Sequence, residues 1–256
     1  MEATQSSSES AATRGRRRFA LYAYPPNELG YCGPDDPSLL TAAAAGRNGL
    51  PEGGLDAIAR RFAGAWPYLG LIARANQIAD PLEDSVVDAY WLGGEMAARV
   101  AEKDFAASSV ARMEVRTGRD EEELVSPLAH GAPLQHNYHV FVVYPWLGVL
   151  RRGGPEKVLS ILDGCRIRQG TVLSLNGDQA VVESRELVFD GHSLKEGEPR
   201  AEEVRLGLAA MVGHEGRRLK IGDAVSLHWD WLCEPLSVEA VRRLGESTDR
   251  VLKALL

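Results

Sequence analysis

The chain has few cysteines and no long apolar run, and each of these features excludes a class of protein. Three widely separated cysteines in 256 residues cannot form the disulfide framework of a small secreted domain. The longest apolar stretch, residues 140–150, contains Pro145 and is shorter than the roughly 20 residues of a membrane-spanning helix. Two prolines interrupt residues 19–30, so nothing after the arginine run at 14–18 resembles a secretory signal. We therefore expect a cytoplasmic protein with reduced thiols.

Several catalytic and cofactor-binding signatures are also missing. The sequence has no GxGxxG after a strand, no GxxxxGK[ST], no HExxH, no GxSxG and no CxxC. These are the patterns of dinucleotide, phosphate, zinc-protease, serine-hydrolase and structural-zinc sites. The net charge is -7 and the pI about 5.5, which does not provide the basic surface that nucleic acids require. We expect neither nucleic acid nor a membrane as a partner.

The first part of the chain has the apolar spacing of helices. In residues 54–79 apolar side chains recur at steps of three and four, which indicates one helix face, and Pro67 should kink or divide that helix. Residues 84–100 repeat the pattern. The polar residues 1–17 are expected to form a disordered tail. A helical domain is therefore predicted over residues 18–163.

After residue 163 the apolar period changes from helical to alternating. A hairpin is predicted here, because the chain has an alternating segment, a turn signal and a second alternating segment. These are RIRQGTVLSL, NGDQ and AVVESREL. LKIGDAVSLHWDWL, residues 219–232, alternates as one further strand. A closing helix is expected to follow Ser237, whose side chain can cap it. The predicted fold class is α+β, with the helical domain followed by a small β-barrel domain over residues 164–256.

Two short motifs in the second domain carry a resemblance to a known family. The first consists of Cys165, Gly170 and Val172, and the second of Gly222, Asp223, Val225 and His228. In these motifs the C-terminal part resembles the HypC/HupF family of hydrogenase-maturation chaperones, which implies a HypC/OB-like barrel. The resemblance also implies that Cys165 and His228 hold an iron fragment bearing cyanide and carbonyl ligands. The partners would be a nickel–iron hydrogenase large subunit or other maturation factors, and the role would be accessory rather than enzymatic.

The chemistry of these residues is compatible with that role. A thiolate and a neutral imidazole are suitable ligands for a soft divalent iron. Arg166 and Arg168 are expected to lower the pKa of the Cys165 thiol, and Asp230 to orient the His228 ring. If the helical domain folds over the barrel, a pair of histidines in QHNYH can add ligands to the same ion. These additional candidates are His136 and His139.

Other interpretations remain open at the level of sequence. The whole chain also resembles an uncharacterised family of actinobacterial proteins that share FALYAYPPNELGYCGPDD and HVFVVYPWLG blocks. One alternative function is an enzyme with a pocket built from Tyr24, Cys32, His136 and His139. In that version Cys32 is the reactive thiol, beside a helix that Asp36 would cap. Another alternative is an interaction scaffold without chemistry.

Overall fold

A computed structural model describes residues 10–44, 54–116, 118–154, 156–207 and 218–255. Residues 1–9 of the predicted tail lie outside these ranges. The first part of the described chain is helical. Its elements are α1 (Ala11–Glu28), α2 (Ser38–Ala44), α3 (Gly54–Ala59), α4 (Trp66–Ala75), α5 (Asp84–Leu92), α6 (Glu95–Ala98), α7 (Glu102–Ala106), α8 (Ser109–Arg116), α9 (Glu121–Ala129), α10 (His136–Tyr138), the π-helical turn π1 (His139–Val143), α11 (Trp146–Arg151) and α12 (Glu156–Cys165).

Among the residues that the structure describes, five strands and a long helix follow. They are β1 (Arg168–Asn176), β2 (Gln179–Phe189), β3 (Leu194–Arg205), β4 (Ala224–His228), β5 (Trp231–Pro235) and α13 (Val238–Lys253). The chain is therefore a mixed α+β protein, with helices first and a five-stranded sheet in the C-terminal part, as predicted. Helix α12 ends at Cys165, two residues beyond the predicted domain boundary. Among the described residues, no helix combines the length and apolar character needed to cross a membrane.

Helix α1 begins inside the segment that was predicted to be disordered, so that prediction is wrong for residues 11–17. The Ser10 hydroxyl caps the helix by accepting a hydrogen bond from the Thr13 N–H at 3.1 Å. Gly15 packs directly on the backbone at Leu82, where a side chain at position 15 would collide with the carbonyl oxygen. Close packing of this turn supplies the stabilisation that its polar composition alone does not.

The arginine run in α1 is ordered because carboxylates from other elements surround it. Arg16 pairs with Asp80 at 2.9 Å. Arg18 pairs with Asp84 at 2.5 Å and, across the molecule, with Glu234 of β5 at 3.1 Å. These ion pairs attach the first helix both to the helical part and to the sheet.

The division of the helix over residues 54–79 and the hairpin are confirmed. Helices α3 and α4 are separate, and Pro67 lies in the first turn of α4, where a proline loses no backbone hydrogen bond. Strands β1 and β2 pair antiparallel down to Asn176 and Gln179, on either side of the turn. The single strand predicted over residues 219–232 is wrong, because β4 ends at His228 and β5 begins at Trp231.

The strand pairings form a circuit. Strand β1 pairs antiparallel with β2 and with β4, and β4 pairs antiparallel with β5. Strand β3 pairs antiparallel with β2 and meets β5 in parallel at Arg205 and Trp231. The order is β1–β2–β3–β5–β4, and β4 returns to β1.

One apolar core joins the helices to the sheet. The larger buried cluster includes Phe19 and Trp91 from the helical part together with Leu187 and Cys233 from the strands. A second cluster, which includes Val182, lies within the sheet. The helices therefore pack directly on the outside of the sheet, and the interface between the two parts is buried.

The C-terminal helix α13 also joins the two parts. Ser237 accepts a hydrogen bond from the Ala240 N–H at 3.1 Å, which confirms the predicted cap. Farther along α13, Thr248 accepts a hydrogen bond at 2.9 Å from the side chain of Asn137 in α10. Ser247 accepts another at 3.0 Å from the Gly94 N–H. The helix thus packs against the helical part as well as following the sheet.

Candidate metal centre

Three potential metal ligands meet where the helices pack on the sheet. His136 begins α10, Cys165 ends α12 and His228 ends β4. One ring nitrogen of each histidine and the Cys165 sulfur all lie within 4.8 Å of one another. The predicted pair of Cys165 and His228 is therefore close in space, and one of the two additional histidines completes a group of three.

Backbone contacts beside the ligands hold this arrangement. The Asn137 side chain binds the Ile167 backbone on both sides, accepting from its N–H at 2.8 Å and donating to its carbonyl at 2.9 Å. The Trp229 N–H donates to the Gly164 carbonyl at 2.7 Å. Each ligand is next to one of these residues in the chain: His136 precedes Asn137, Cys165 follows Gly164, and His228 precedes Trp229. Their contacts therefore fix α10, α12 and β4 relative to one another around the group.

The His228 ring is oriented by a backbone carbonyl. Its Nδ1–H donates to the Tyr22 carbonyl of α1 at 2.7 Å. The side chain is 1% exposed, and within the described part of the chain its Nε2 has no hydrogen-bond partner. Burial, reinforced by the neighbouring His136, lowers the pKa of His228 well below its usual value. The ring is therefore neutral and carries a lone pair on Nε2, as a metal ligand must.

His136 has a polar partner at each of its two ring nitrogens. Its Nδ1 is 3.0 Å from the Tyr90 hydroxyl, and its Nε2 is 2.8 Å from the Cys165 carbonyl. The Tyr90 hydroxyl also donates to the Gly64 carbonyl at 2.8 Å. The Cys165 carbonyl can only accept, so Nε2–H donates to it, and the Nδ1 lone pair faces the Tyr90 hydroxyl. Coordination of a metal by either nitrogen therefore replaces one of these two contacts. Burial lowers the pKa of His136 to about 4, so the ring is neutral.

The Cys165 thiol is shielded from water, and its pKa is raised rather than lowered, contrary to the prediction from its neighbours. Burial raises the pKa of Cys165, and the nearby Cys32 raises it further. Arg166 does not lower the pKa of this thiol, because it pairs with Asp163 at 3.0 Å and with Glu196 at 2.6 Å.

Arg168 is likewise engaged elsewhere, with Glu202 of β3 at 2.9 Å. The alternation of β1 carries the Arg168 side chain to these sheet carboxylates. The predicted role of both arginines toward the thiol is therefore wrong.

The predicted role of Asp230 is also wrong. Asp230 is exposed in the turn between β4 and β5, and the Tyr22 carbonyl takes the place expected for its carboxylate on the His228 ring. The reason is the backbone of Trp229, whose φ of 53° is in the left-handed region that bulky residues rarely adopt. This conformation ends the strand, so the alternation of side chains does not continue to Asp230.

His139 and Cys32 are near the group but are not among its three members. The His139 ring centroid is 6.5 Å from that of His136, and its Nδ1 is 2.8 Å from the Tyr68 hydroxyl. Burial lowers the pKa of His139 to about 3, and repulsion from the His136 ring, once that ring is protonated, lowers it further. Burial raises the pKa of Cys32 to about 12, so the thiol is protonated at neutral pH and the prediction of a reactive nucleophile is wrong.

The alternative enzyme pocket is not assembled as predicted. Tyr24 contacts Trp231 at the start of β5, with ring centroids 6.4 Å apart. It therefore faces the sheet, where burial and then the neighbouring Glu28 raise the pKa of Tyr24, while Arg205 opposes them.

Several buried polar atoms at this interface have no partner within the described residues. They are Nε2 of His228, Nε2 of His139, and Nε1 of Trp91 and Trp229. The Trp91 ring lies 4.9 Å from the His136 ring and 5.8 Å from the His228 ring. Buried polar groups in native proteins nearly always have a partner, and an ion or ordered water supplies it where the protein does not. Among these four atoms, the His228 Nε2 belongs to the group of three and has a lone pair for a cation, whereas an indole N–H only donates.

The chemistry of the group fits one divalent transition metal. In a tetrahedral site with metal–nitrogen bonds of about 2.0 Å and a metal–sulfur bond of about 2.3 Å, ligand atoms are roughly 3.5 Å apart. The observed limit of 4.8 Å therefore requires only a small contraction around an ion. Two neutral imidazoles and one thiol suit Zn²⁺, Fe²⁺ or Co²⁺ better than the hard cations Mg²⁺ and Ca²⁺.

Comparison with known proteins gives the family but no activity. No curated protein and no solved structure matches the chain, and the family match lends no support to the HypC/HupF resemblance. A model described as a family of unknown function (DUF6390) matches residues 11–255. The chain, from its first helix to the end of α13, belongs to this family, DUF6390.

Proposed function

We propose that the protein is an accessory metal-binding protein, in which His136, Cys165 and His228 hold one divalent transition-metal ion. The observation that carries this proposal is the convergence of the three ligand atoms within 4.8 Å of one another. His228 strengthens it, because its Nε2 is buried without a hydrogen-bond partner in the described chain. Leaving a buried polar atom unpaired costs about 1–3 kcal/mol, and coordination of an ion removes that cost.

The narrower form of the proposal is a metallochaperone of the HypC kind. Its cargo would be iron carrying cyanide and carbonyl, and its partners a hydrogenase large subunit or other maturation factors. The circuit of strand pairings supports a small HypC/OB-like β-barrel as the corresponding fold. The group differs from a mobile carrier site in that both histidines are buried, so release of the cargo requires the helices to separate locally from the sheet.

A reducing compartment is part of the same proposal. The three cysteines are free, and a metal–sulfur bond at Cys165 requires a reduced thiol. We therefore propose a cytoplasmic location.

Metal content after anaerobic purification with Fe²⁺ tests the proposal. We expect about one ion per chain in the wild type and less than a tenth of that in Cys165→Ala and His228→Gln. Glutamine can still donate to the Tyr22 carbonyl, so the second variant tests coordination with the local hydrogen bond retained. His192→Gln, on an exposed loop, is the matched control and should bind like the wild type. Equal metal in all four proteins, or none in the wild type, would refute the proposal and leave the scaffold role.

A further inference from the structure

Helix α1 contains two consecutive prolines, Pro25 and Pro26, near its C-terminal end. A proline has no N–H, so it cannot donate to the carbonyl four residues earlier in an α-helix, and its ring presses against that carbonyl. For Pro26 this carbonyl belongs to Tyr22. The N–H three residues after Tyr22, which serves the same carbonyl in a tighter 3₁₀ turn, is also missing because position 25 is a proline. The Tyr22 carbonyl therefore lacks both of these helical donors.

The Tyr22 carbonyl instead receives a hydrogen bond from the sheet. The His228 Nδ1–H of β4 donates to it at 2.7 Å. Tyr22 is fully buried and His228 is 1% exposed, so water does not compete for this contact. Buried backbone carbonyls nearly always have a partner. The proline and the histidine thus act as a pair, because one removes the helical donor and the other supplies a donor from β4.

The side chain of Tyr22 keeps its backbone opposite His228. Its hydroxyl donates to Glu234 of β5 at 2.8 Å and lies 2.7 Å from the Ser226 hydroxyl. Ser226 precedes His228 by two residues, so the two side chains lie on the same face of β4. The Tyr22 ring stacks on the Trp91 ring, with centroids 5.0 Å apart and planes 11° from parallel. Tyr22 is therefore fixed against β4 through its hydroxyl as well as through its carbonyl.

The direction of the hydrogen bond at Nδ1 decides which nitrogen of His228 is free to bind a metal. A neutral imidazole carries one proton, and the hydrogen bond made by one nitrogen determines which atom keeps the lone pair. Because Nδ1 donates to the carbonyl, the lone pair of His228 is on Nε2. That nitrogen has no hydrogen-bond partner within the described part of the chain. In the other tautomer, Nε2 would carry a hydrogen and could not coordinate an ion.

Building on the proposed function, we propose that Pro26 is a positioning residue of the metal centre, which fixes the metal-binding tautomer of His228 by leaving the Tyr22 carbonyl without a helical donor. Pro26 is not itself a ligand and acts only through this carbonyl. The energetic cost of a proline inside a helix is thereby linked to a function. The sequence alone does not show which histidine receives the freed carbonyl, because that depends on how α1 packs on β4.

Nitrogen NMR of the histidine rings in the metal-free full chain measures the tautomer directly. In the wild type we expect His228, assigned by its loss in His228→Gln, to carry its proton on Nδ1. Pro26→Ala restores an N–H, and the helical hydrogen bond turns the Tyr22 carbonyl back toward the helix axis. The Nε2–H form of His228 should then become the main one. Pro127→Ala, which alters the proline inside α9, is the matched control and should keep the wild-type tautomer.

Zinc affinity, measured by competition with a chelator, provides the second readout. Pro26→Ala should bind Zn²⁺ about tenfold more weakly than the wild type, as expected when the group that orients a ligating histidine is changed. Pro127→Ala should bind like the wild type. The melting temperature of the metal-free Pro26→Ala protein should not fall, because alanine favours a helix interior more than proline does. Weaker binding is then not explained by a loss of folded structure.

The outcomes separate this inference from the proposed function. A wild-type His228 that carries its proton on Nε2 would overturn the role of Pro26, and so would an unchanged tautomer and zinc affinity in Pro26→Ala. A wild type that binds no zinc, but whose His228 tautomer changes in Pro26→Ala as expected, would overturn the proposed function and support the assignment of the tautomer to Pro26.

Discussion

The buried histidines make a quantitative prediction about acid stability. Burial lowers the pKa of His136 to about 4, that of His139 to about 3 and that of His228 well below its usual value. In the unfolded chain each imidazole titrates near pH 6.5. Between pH 6.5 and 5 the unfolded state therefore binds protons that the folded state does not, and the free energy of unfolding falls as the pH falls.

The expected magnitude follows from the number of buried rings. One such imidazole changes the free energy of unfolding by about 1.4 kcal/mol per pH unit, and three change it by about 4 kcal/mol per unit. At pH 5 the three together have removed about 6 kcal/mol relative to pH 8. This is comparable to the whole stability of a typical domain, about 5–15 kcal/mol, so the protein should unfold under mild acid.

Urea denaturation at constant ionic strength, in the presence of a chelator, measures this dependence. His139→Gln should reduce the slope between pH 6 and 5 by about one third, because one of the three rings no longer titrates. His130→Gln and His192→Gln alter exposed rings and should leave the slope unchanged. A free energy of unfolding that changes by less than about 1 kcal/mol from pH 7 to pH 5 would show that these rings are not buried as described.

The remaining predictions concern metal affinity and packing. Metal affinity should rise at least tenfold per pH unit between pH 6 and 8, because a protonated thiol must release its proton; a pH-independent affinity in chelator competition would contradict this. Gly164→Ala should cost about 1–3 kcal/mol, because the new Cβ would lie 2.7 Å from the neighbouring indole. Gly245→Ala, in an open part of α13, should instead stabilise by about 0.5–1 kcal/mol. A similar melting temperature for these two variants would refute the packing argument. Glu234→Gln should cost about 3 kcal/mol in urea denaturation, because it removes a buried partner of Arg18. Arg242→Gln, in an exposed ion pair, should leave the stability close to that of the wild type, and equal costs for the two variants would contradict the importance of burial.

Local signals predicted the elements that depend on local physics. The Gly-Asp turn between alternating segments predicted the β1–β2 hairpin, and Ser237 predicted the start of α13, because both depend on a few adjacent residues. Pro67 predicted the division between α3 and α4 for the same reason. Each of these features requires no information about distant parts of the chain.

The errors arise where a distant partner overrides the local pattern. Residues 11–17 have the composition of a solvated tail, yet they form a helix because Arg16 pairs with Asp80 of the loop between α4 and α5. Arg166 follows Cys165 directly in the sequence, but in the structure it pairs with the carboxylates of Asp163 and Glu196. The prediction that Asp230 orients His228 is wrong because the left-handed backbone at Trp229 interrupts the alternation of side chains along the strand.

The residues that orient the candidate site carry no recognisable signal in the sequence. His228 is held by the backbone carbonyl of Tyr22, and any residue type provides such a carbonyl. Asn137 connects α10 by hydrogen bonds to the segment after Cys165. A single asparagine beside a histidine, however, does not form a recognisable sequence motif. A buried asparagine between two elements becomes meaningful only when its partners are known.

By itself, the sequence determined the order of helices and strands, the absence of a disulfide scaffold, and the choice of Cys165 and His228 as the residues to examine. It did so because periodicity, turn residues and ligand chemistry are properties of short segments. Only the tertiary structure decided that His136 joins them, that the arginines face other groups, and that desolvation raises the pKa of the thiols. Those properties depend on distance and desolvation, which arise when segments far apart in the chain pack together and exclude water.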